Sequence, residues 1–159
     1  MNRVLKAMVL FFILTGITWQ AVAFSEADLQ KLKSSLKCPK CDLAGADLSG
    51  AKLAGANLTY ANLDKARFFR AELAGANLSE AVLTGADLFS ADLTGADLSG
   101  ANLIDAYMED ANLQDANLTG ADLTKAYLET TDLTGANLTQ ANLTGAFLER
   151  TNLENADLT

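Results

Sequence analysis

The chain has 159 residues, enough for one domain, with 12 basic residues, 20 acidic residues and no histidine. Its formal charge of −8 disfavours recognition of phosphates, so no nucleic-acid partner is expected. Histidine is the commonest metal ligand and a frequent general base, and its absence weakens the case for catalysis. The composition therefore indicates a protein that is not an enzyme, and we expect no catalytic residues, no cofactor and no metal.

Residues 1–23 have the pattern of an export signal. Basic residues precede a short apolar run at 7–17, and Ala21 and Ala23 fit a small-residue cleavage site. The run is shorter than the roughly 20 residues that a membrane-spanning helix needs. We expect cleavage after residue 23, no membrane attachment after cleavage, and a location in the periplasm, or in the thylakoid lumen of a photosynthetic bacterium.

Residues 24–40 are predicted to form a capping helix and a linker. The segment from Ser25 to Asp28 has the pattern of a capping box, which marks a helix N-terminus. A short helix over 25–37 would lie as a lid on the domain that follows. Three leucines would line one of its faces: Leu29, Leu32 and Leu36.

The rest of the chain, 41–159, is an uninterrupted array of five-residue repeats. Each of the 24 repeats has a central apolar residue, which is Leu in all but two, and the residue two positions earlier is Ala in 21 of them. An α-helix or a flat strand would leave half of the central residues in water, because neither has a period of five. A coil in which Ala and Leu point inward, with two corner residues after each Leu, keeps all of them buried. Glycine at ten of the second corner positions predicts positive φ there, and the 13 other residues predict a second turn type.

The irregular residues of the array show how many repeats form one coil. Tyr107, Tyr127 and Phe147 are spaced 20 residues apart, and so are Thr131 and Thr151. Four repeats per coil, one on each side of a square, explains both series. The prediction is an all-β solenoid, a quadrilateral β-helix of about six coils.

This A-[D/N]-L-x-x array resembles the pentapeptide-repeat proteins over residues 41–159. The resemblance implies that the β-helix is right-handed. It implies little about function, because the fold does not determine activity and most members have no known activity.

Cys38 and Cys41 form a C-x-x-C motif between the predicted lid and the first coil. The motif is compatible with a structural disulfide, a redox centre, a zinc site or a free dithiol. A redox centre would need a βαβ context, and zinc would need four ligands. Exported members of the family carry a similar motif at this junction, so the resemblance favours the disulfide.

One side of the predicted coil differs from the other three. It carries five of the six outward aromatic residues of the array and every arginine after residue 23, and such enrichment is typical of contact surfaces. A stacking ladder that only stabilises the rod is the competing interpretation. We call this side the aromatic face and predict that it binds an unknown protein partner; its residues are Arg67, Phe69, Arg70, Phe89, Tyr107, Glu109, Tyr127, Glu129, Phe147, Glu149 and Arg150.

Two other functions are compatible with the sequence. Quinolone-resistance members of the family are similar to acidic duplex DNA and bind DNA gyrase, and the array here has 6 basic and 18 acidic residues, a net charge of −12. An acidic DNA mimic that binds gyrase or another DNA-binding protein is therefore the alternative. A water-ordering or ice-binding surface is the second alternative, on a side that we call the hydroxyl face: Thr59, Ser79, Ser99, Thr119, Thr139 and Thr159.

The last coil predicts a second contact surface. Its central leucines are expected to have no further coil above them, and exposed apolar ends are normally covered. The gyrase-binding relatives pair through this end. We therefore expect a homodimer through the C-terminal coil, at Leu143, Leu148, Leu153 and Leu158.

Overall fold

One short helix precedes the coils in this computed structural model, which describes residues 24–159; the predicted export signal lies outside them. Helix α1 spans Glu26–Ser35. Its N-cap is Ser25, whose side chain accepts a hydrogen bond of 3.2 Å from the backbone N–H of Asp28, as the capping box predicts. Helix α1 ends because Leu36 adopts a left-handed conformation with φ of 55°. No helix in the described part of the chain has the length and apolarity to cross a bilayer.

The array folds as a β-solenoid whose turns are linked by parallel bridges. Each bridge joins residues 20 positions apart, from Lys37 with Asn57 to Asn137 with Asp157. Only the second residue of each pentapeptide forms a bridge. Each side of the coil is therefore too short to be a strand of its own, and no longer strand occurs among residues 24–159.

The interior consists of stacked columns of the central residues and of the alanines. Every central residue from Leu43 to Leu138 is buried, including Phe68 and Met108. Thr131 replaces an inward alanine and is also fully buried, because its hydroxyl group donates a hydrogen bond of 2.8 Å to the carbonyl oxygen of Met108. A threonine at this position therefore satisfies its own polar atom.

The second residue of every corner has a positive φ. The prediction of a second turn type is wrong: non-glycine corner residues such as Lys65, Arg70 and Asp105 have φ of 53° to 55°, within the same left-handed region as the glycines. The corner is closed in each case by a hydrogen bond from the next repeat to the central carbonyl group, as from Ala66 to Leu63 at 3.0 Å. The closing bond and the inter-coil bonds hold side-chain-bearing residues in a conformation that usually favours glycine.

The coils begin five residues earlier than the pentapeptide pattern predicts. Leu36–Lys40 behaves as a further repeat, in which Leu36 occupies the alanine position and Cys38 the central position. The N–H of Cys38 donates to the carbonyl oxygen of Asn57 at 2.7 Å, as central leucines do to the coil above. The pattern missed this repeat because neither inward position carries its usual residue.

Candidate protein-binding face

Parallel bridges stack the aromatic side chains of the aromatic face directly above one another. The rings of Tyr107 and Tyr127 lie 4.9 Å apart, and so do those of Tyr127 and Phe147, with interplanar angles of 4° and 8°. Tyr107 and Phe147 remain about half exposed, at 45% and 48%. The stacking ladder that the spacing predicts is thus present, and its outer edges are exposed.

A second aromatic pair lies lower on the same face and one column across. The rings of Phe69 and Phe89 are stacked with centroids 5.8 Å apart, and the guanidinium group of Arg70 lies 5.0 Å from the ring centre of Phe69. Arg67 donates a hydrogen bond of 3.4 Å to Asp47 in the coil below. The predicted face residues therefore lie together, some half-buried (Phe69, Phe89, Glu109, Tyr127, Glu129) and some exposed (Arg67, Arg70, Tyr107, Phe147, Glu149, Arg150).

Three carboxylates continue the column of Phe69 and Phe89: Glu109, Glu129 and Glu149. One oxygen, Oε2, of both Glu109 and Glu129 is shielded from solvent and has no hydrogen-bond partner among residues 24–159. Burial raises the pKa of the Glu109 carboxyl group above its ordinary value of 4.5, and the carboxylates of Glu129, Asp87 and Asp110 add to the increase. The charge of this column is therefore poorly compensated by the protein itself.

A depression of about 490 Å³ opens where the aromatic residues change column. Phe69 and Phe89 lie on one side of it and Tyr107 on another. Gly85 contributes no side chain to its wall. The charged residues that line it are Lys65, Arg67, Asp87 and Glu109.

The hydroxyl face has a different hydrogen-bonding pattern. The hydroxyl group of Thr119 donates to the side-chain oxygen of Asn117 at 2.6 Å, and the N–H of Thr119 donates to the same oxygen at 3.2 Å. Thr59, Ser79 and Thr139 repeat the hydroxyl bond within their own pentapeptides. Most hydroxyl donors on this face are therefore used internally, which weakens the case for a surface that orders water.

The two cysteines lie in the first coil and contact helix α1. Cys38 and Cys41 are buried and are linked by a disulfide in the structure. The Sγ atom of Cys38 lies 3.2 Å from the carbonyl oxygen of Asp28, and Asp28 accepts a hydrogen bond of 3.0 Å from the N–H of Asp42. Asp28, Cys38 and Cys41 are the one cluster among residues 24–159 with ligand atoms close enough for a metal ion, but both of its sulfur atoms are used in the disulfide.

The last coil exposes part of its interior column. Leu148 is 37% exposed and Leu158 is 57% exposed, whereas Leu128 and Leu138, one coil below, are at most 2% exposed. Leu143 and Leu153 are half-buried. The four predicted leucines thus form an apolar surface at this end of the described residues.

Sequence reasoning identified the columns but missed the depression and the shielded glutamate oxygens. The sequence contains one signal for the depression: Gly85 stands between Lys65 and Asp105 in one corner column, next to the point where aromatic residues change columns. The shielding of an oxygen depends on the positions of neighbouring side chains, so spacing alone gives no signal for it.

The pentapeptide-repeat family model matches eight copies over residues 40–73, 66–103, 91–129 and 131–159. With its solenoid of five-residue repeats, the chain belongs to the pentapeptide-repeat family.

Rfr23, a pentapeptide repeat protein of the cyanobacterium Cyanothece 51142, has a similar structure. It is 31% identical, with a TM-score of 0.59, over 84% of this chain and 98% of Rfr23.

Two other structures are similar with TM-scores below 0.5. A pentapeptide repeat protein of the Arabidopsis thaliana thylakoid lumen is 35% identical over 67% of this chain and 68% of its own, with a TM-score of 0.29. QnrB1, a plasmid-mediated fluoroquinolone resistance protein, is 24% identical over 70% of this chain and 69% of its own, with a TM-score of 0.48. No curated protein matches the sequence of this chain.

Proposed function

We propose that the chain is an exported, non-enzymatic solenoid that binds a partner protein through the aromatic face. The observation that carries the proposal is the depression between the two aromatic ladders, which combines apolar walls with charged groups. Depressions with apolar walls and a few polar groups are typical of binding sites. The ladders supply rigid aromatic surface, the kind that dominates protein interfaces energetically.

A photo-crosslinking amino acid at position 89 tests this proposal in living cells. We expect a discrete adduct from position 89 and none from the matched position 99, which lies at the same place in its repeat on the hydroxyl face. Failure to form an adduct at position 89, or equal adducts at both positions, would contradict the proposal.

The architecture that supports this function has three further proposed features. The solenoid is right-handed, it has about six coils, and helix α1 covers its first coil. The cover is supported by the burial of Leu29 and Leu32 against the core and by the hydrogen bond from Ser25 to the carbonyl oxygen of Asp42 at 2.9 Å. Deletion of residues 24–35 is expected to expose apolar surface and to increase binding of a hydrophobic dye; unchanged dye binding would contradict the cover.

Export and oxidation of the two cysteines belong to the same proposal, because disulfides persist in oxidising compartments. Cell fractionation is expected to find a processed chain outside the cytoplasm. Thiol labelling of protein taken from that compartment is expected to leave Cys38 and Cys41 unlabelled, and two labelled thiols would contradict the disulfide.

An acidic mimic of DNA remains the second candidate. The net charge of −12 on the array favours it, because charge complementarity steers association with DNA-binding proteins. Inhibition of gyrase supercoiling by the purified chain, together with a cytoplasmic location, would favour this function over the first. A chain found only outside the cytoplasm would contradict the gyrase function.

We also propose that the exposed leucines of the last coil contact a second copy of the chain. A two-fold contact would cover the same apolar surface on both copies. Light scattering over a range of concentrations is expected to show a dimer that Leu158→Lys dissociates and Tyr127→Ala does not. A mass that stays monomeric into the high micromolar range would contradict the dimer.

A further inference from the structure

The charges around the depression are not equivalent. Its two cations already have partners outside it, because Lys65 lies 3.8 Å from Asp64 and Arg67 lies 3.4 Å from Asp47. These are the two ion pairs found among residues 24–159, and neither carboxylate that lines the depression takes part in one. The uncompensated charge in the depression is therefore negative.

The two carboxylates have different local surroundings, and neither forms an ion pair within the described residues; Arg67, the bridge partner of Asp87 one coil below, pairs with Asp47 instead. Asp87 accepts a hydrogen bond of 3.2 Å from the N–H of Phe89, which orients it without neutralising it. Glu109 has one shielded oxygen without a partner, and Glu129, directly above it, has another. A cation at this place would meet several carboxylates within one or two coil spacings, each about 4.8 Å.

The walls of the depression select among cations. Phe69, Phe89 and Tyr107 offer apolar surface, which a hydrated metal ion cannot use, and Ca²⁺ needs six to eight oxygen ligands in any case. Arginine and lysine side chains combine an aliphatic stem with a cationic end, and the guanidinium group also stacks on aromatic rings. The aromatic walls and the uncompensated carboxylates together fit such a side chain.

We propose that the depression binds an arginine or lysine side chain from a basic segment of the partner protein, with the stem against Phe89 and Tyr107 and the cationic group beside Asp87 and Glu109. This inference rests on the proposed protein-binding function and specifies the chemistry of its partner. Arginine is preferred to lysine, because its planar group can donate to two carboxylates at once.

Fluorescence anisotropy with three short labelled peptides tests the inference on the full chain. The peptides have a glycine–serine background that carries arginine, lysine, or citrulline as the neutral analogue of arginine. We expect the arginine peptide to bind more tightly than the lysine peptide, and the citrulline peptide to bind at least about tenfold more weakly than either. Equal binding of the arginine and citrulline peptides would overturn the inference.

A pair of double variants separates a specific site from the general acidity of the array. Asp87→Asn with Glu109→Gln removes two charges at the depression. Asp97→Asn with Glu154→Gln makes the same two changes at the same repeat positions on other faces. We expect the first variant to weaken binding of the arginine peptide by about tenfold or more, and the control to change it by less than about threefold. Equal losses in the two variants would overturn the inference in favour of diffuse electrostatic attraction.

The photo-crosslinking experiment at position 89 distinguishes failure of the inference from failure of the proposed function. A discrete adduct at position 89 together with no binding of the arginine peptide would overturn the basic segment and leave the binding face in place. Loss of the adduct and of arginine-peptide binding would overturn both the basic segment and the binding face. Thermal unfolding of the Asp87→Asn/Glu109→Gln variant checks its fold, and we expect it to be at least as stable as the natural chain, because it loses uncompensated charge.

Discussion

The aromatic face and the hydroxyl face share one backbone and differ in how their side chains are satisfied. Both are formed by bridges between residues 20 positions apart, and both lie over fully buried central residues. On the hydroxyl face, Asn117 accepts hydrogen bonds from the N–H and the hydroxyl group of Thr119 within the same repeat. On the aromatic face, Glu109 and Glu129 each leave a shielded oxygen without a partner in the described residues.

The difference shows that the regular repeats of this fold satisfy polar side chains within each repeat. In a repeat with Asn or Asp before the central residue and Ser or Thr after it, the side-chain oxygen of the first residue accepts hydrogen bonds from the second within the repeat. Aromatic and glutamate side chains in the same positions interact between coils instead, by ring stacking or by repulsion of like charges. A face that breaks the pattern therefore loses local hydrogen bonds, and its carboxylates are less well compensated within the chain.

The prediction with the largest expected effect concerns the interior that the two faces share, not either face itself. Leu98→Asp places a charge in a buried column without a partner and is expected to cost about 3–5 kcal/mol of unfolding free energy. Asp97→Leu changes an outward residue that accepts hydrogen bonds from Ser99 and Asn117, so a loss of about 1–2 kcal/mol is expected. Urea unfolding measures both, and equal losses would show that the inward and outward assignment is wrong.

The next prediction compares the two faces directly. Tyr127→Ala removes a ring stacked on both sides, and each aromatic pair contributes about 0.5–1.5 kcal/mol, so a loss of about 1–3 kcal/mol is expected. Asn117→Ala removes the local hydrogen bonds of one repeat and is expected to cost about 1 kcal/mol. Thermal unfolding provides the comparison, with Tyr127→Phe as the control that keeps the stack. If Tyr127→Ala were as stable as the natural chain, the ladder would contribute nothing to the rod.

The smallest expected effect is a change in how stability depends on pH. The pKa of Glu109 is raised in the folded chain, first by burial and then by Glu129, Asp87 and Asp110, so the folded state holds its proton more tightly. Its contribution to stability is therefore full below its ordinary value of 4.5 and is lost as the pH rises through the raised pKa. Glu109→Gln should remove this contribution to the dependence of folding stability on pH. The effect is small because solvent screens a half-buried group.

Calorimetry at about pH 4 and pH 7 checks this sign. The melting temperature of Glu109→Gln, relative to the natural chain, is expected to be higher at pH 7 than at pH 4. Asp132 serves as a control because its pH dependence has the opposite sign. Hydrogen bonds from Thr134 and Gln114 lower the pKa of Asp132, so its contribution to stability is lost at acid pH. A relative melting temperature that did not change with pH would contradict the raised pKa of Glu109.

Some features followed directly from the residues, and others did not. The spacing of Tyr107, Tyr127 and Phe147 gave the coil period, because residues that stack must recur once per coil. Ser25 gave the start of helix α1, because capping depends on a local side-chain hydrogen bond. The repeat at Leu36–Lys40 was missed because Cys38 replaces a central leucine, and the turn prediction failed because the composition of a corner does not reveal φ when inter-coil hydrogen bonds hold the backbone.

The sequence by itself determined the period, the inward columns and the family of this protein, because each of these depends on spacing within one chain. Only the tertiary structure decided which outward groups are satisfied. Phe89 lies one coil below Tyr107 and Glu109, and the depression between them exists only when the coils are stacked. Whether Glu109 finds a counter-charge likewise depends on neighbours about 20 residues away in sequence and one coil away in space, where side-chain orientation sets the distances.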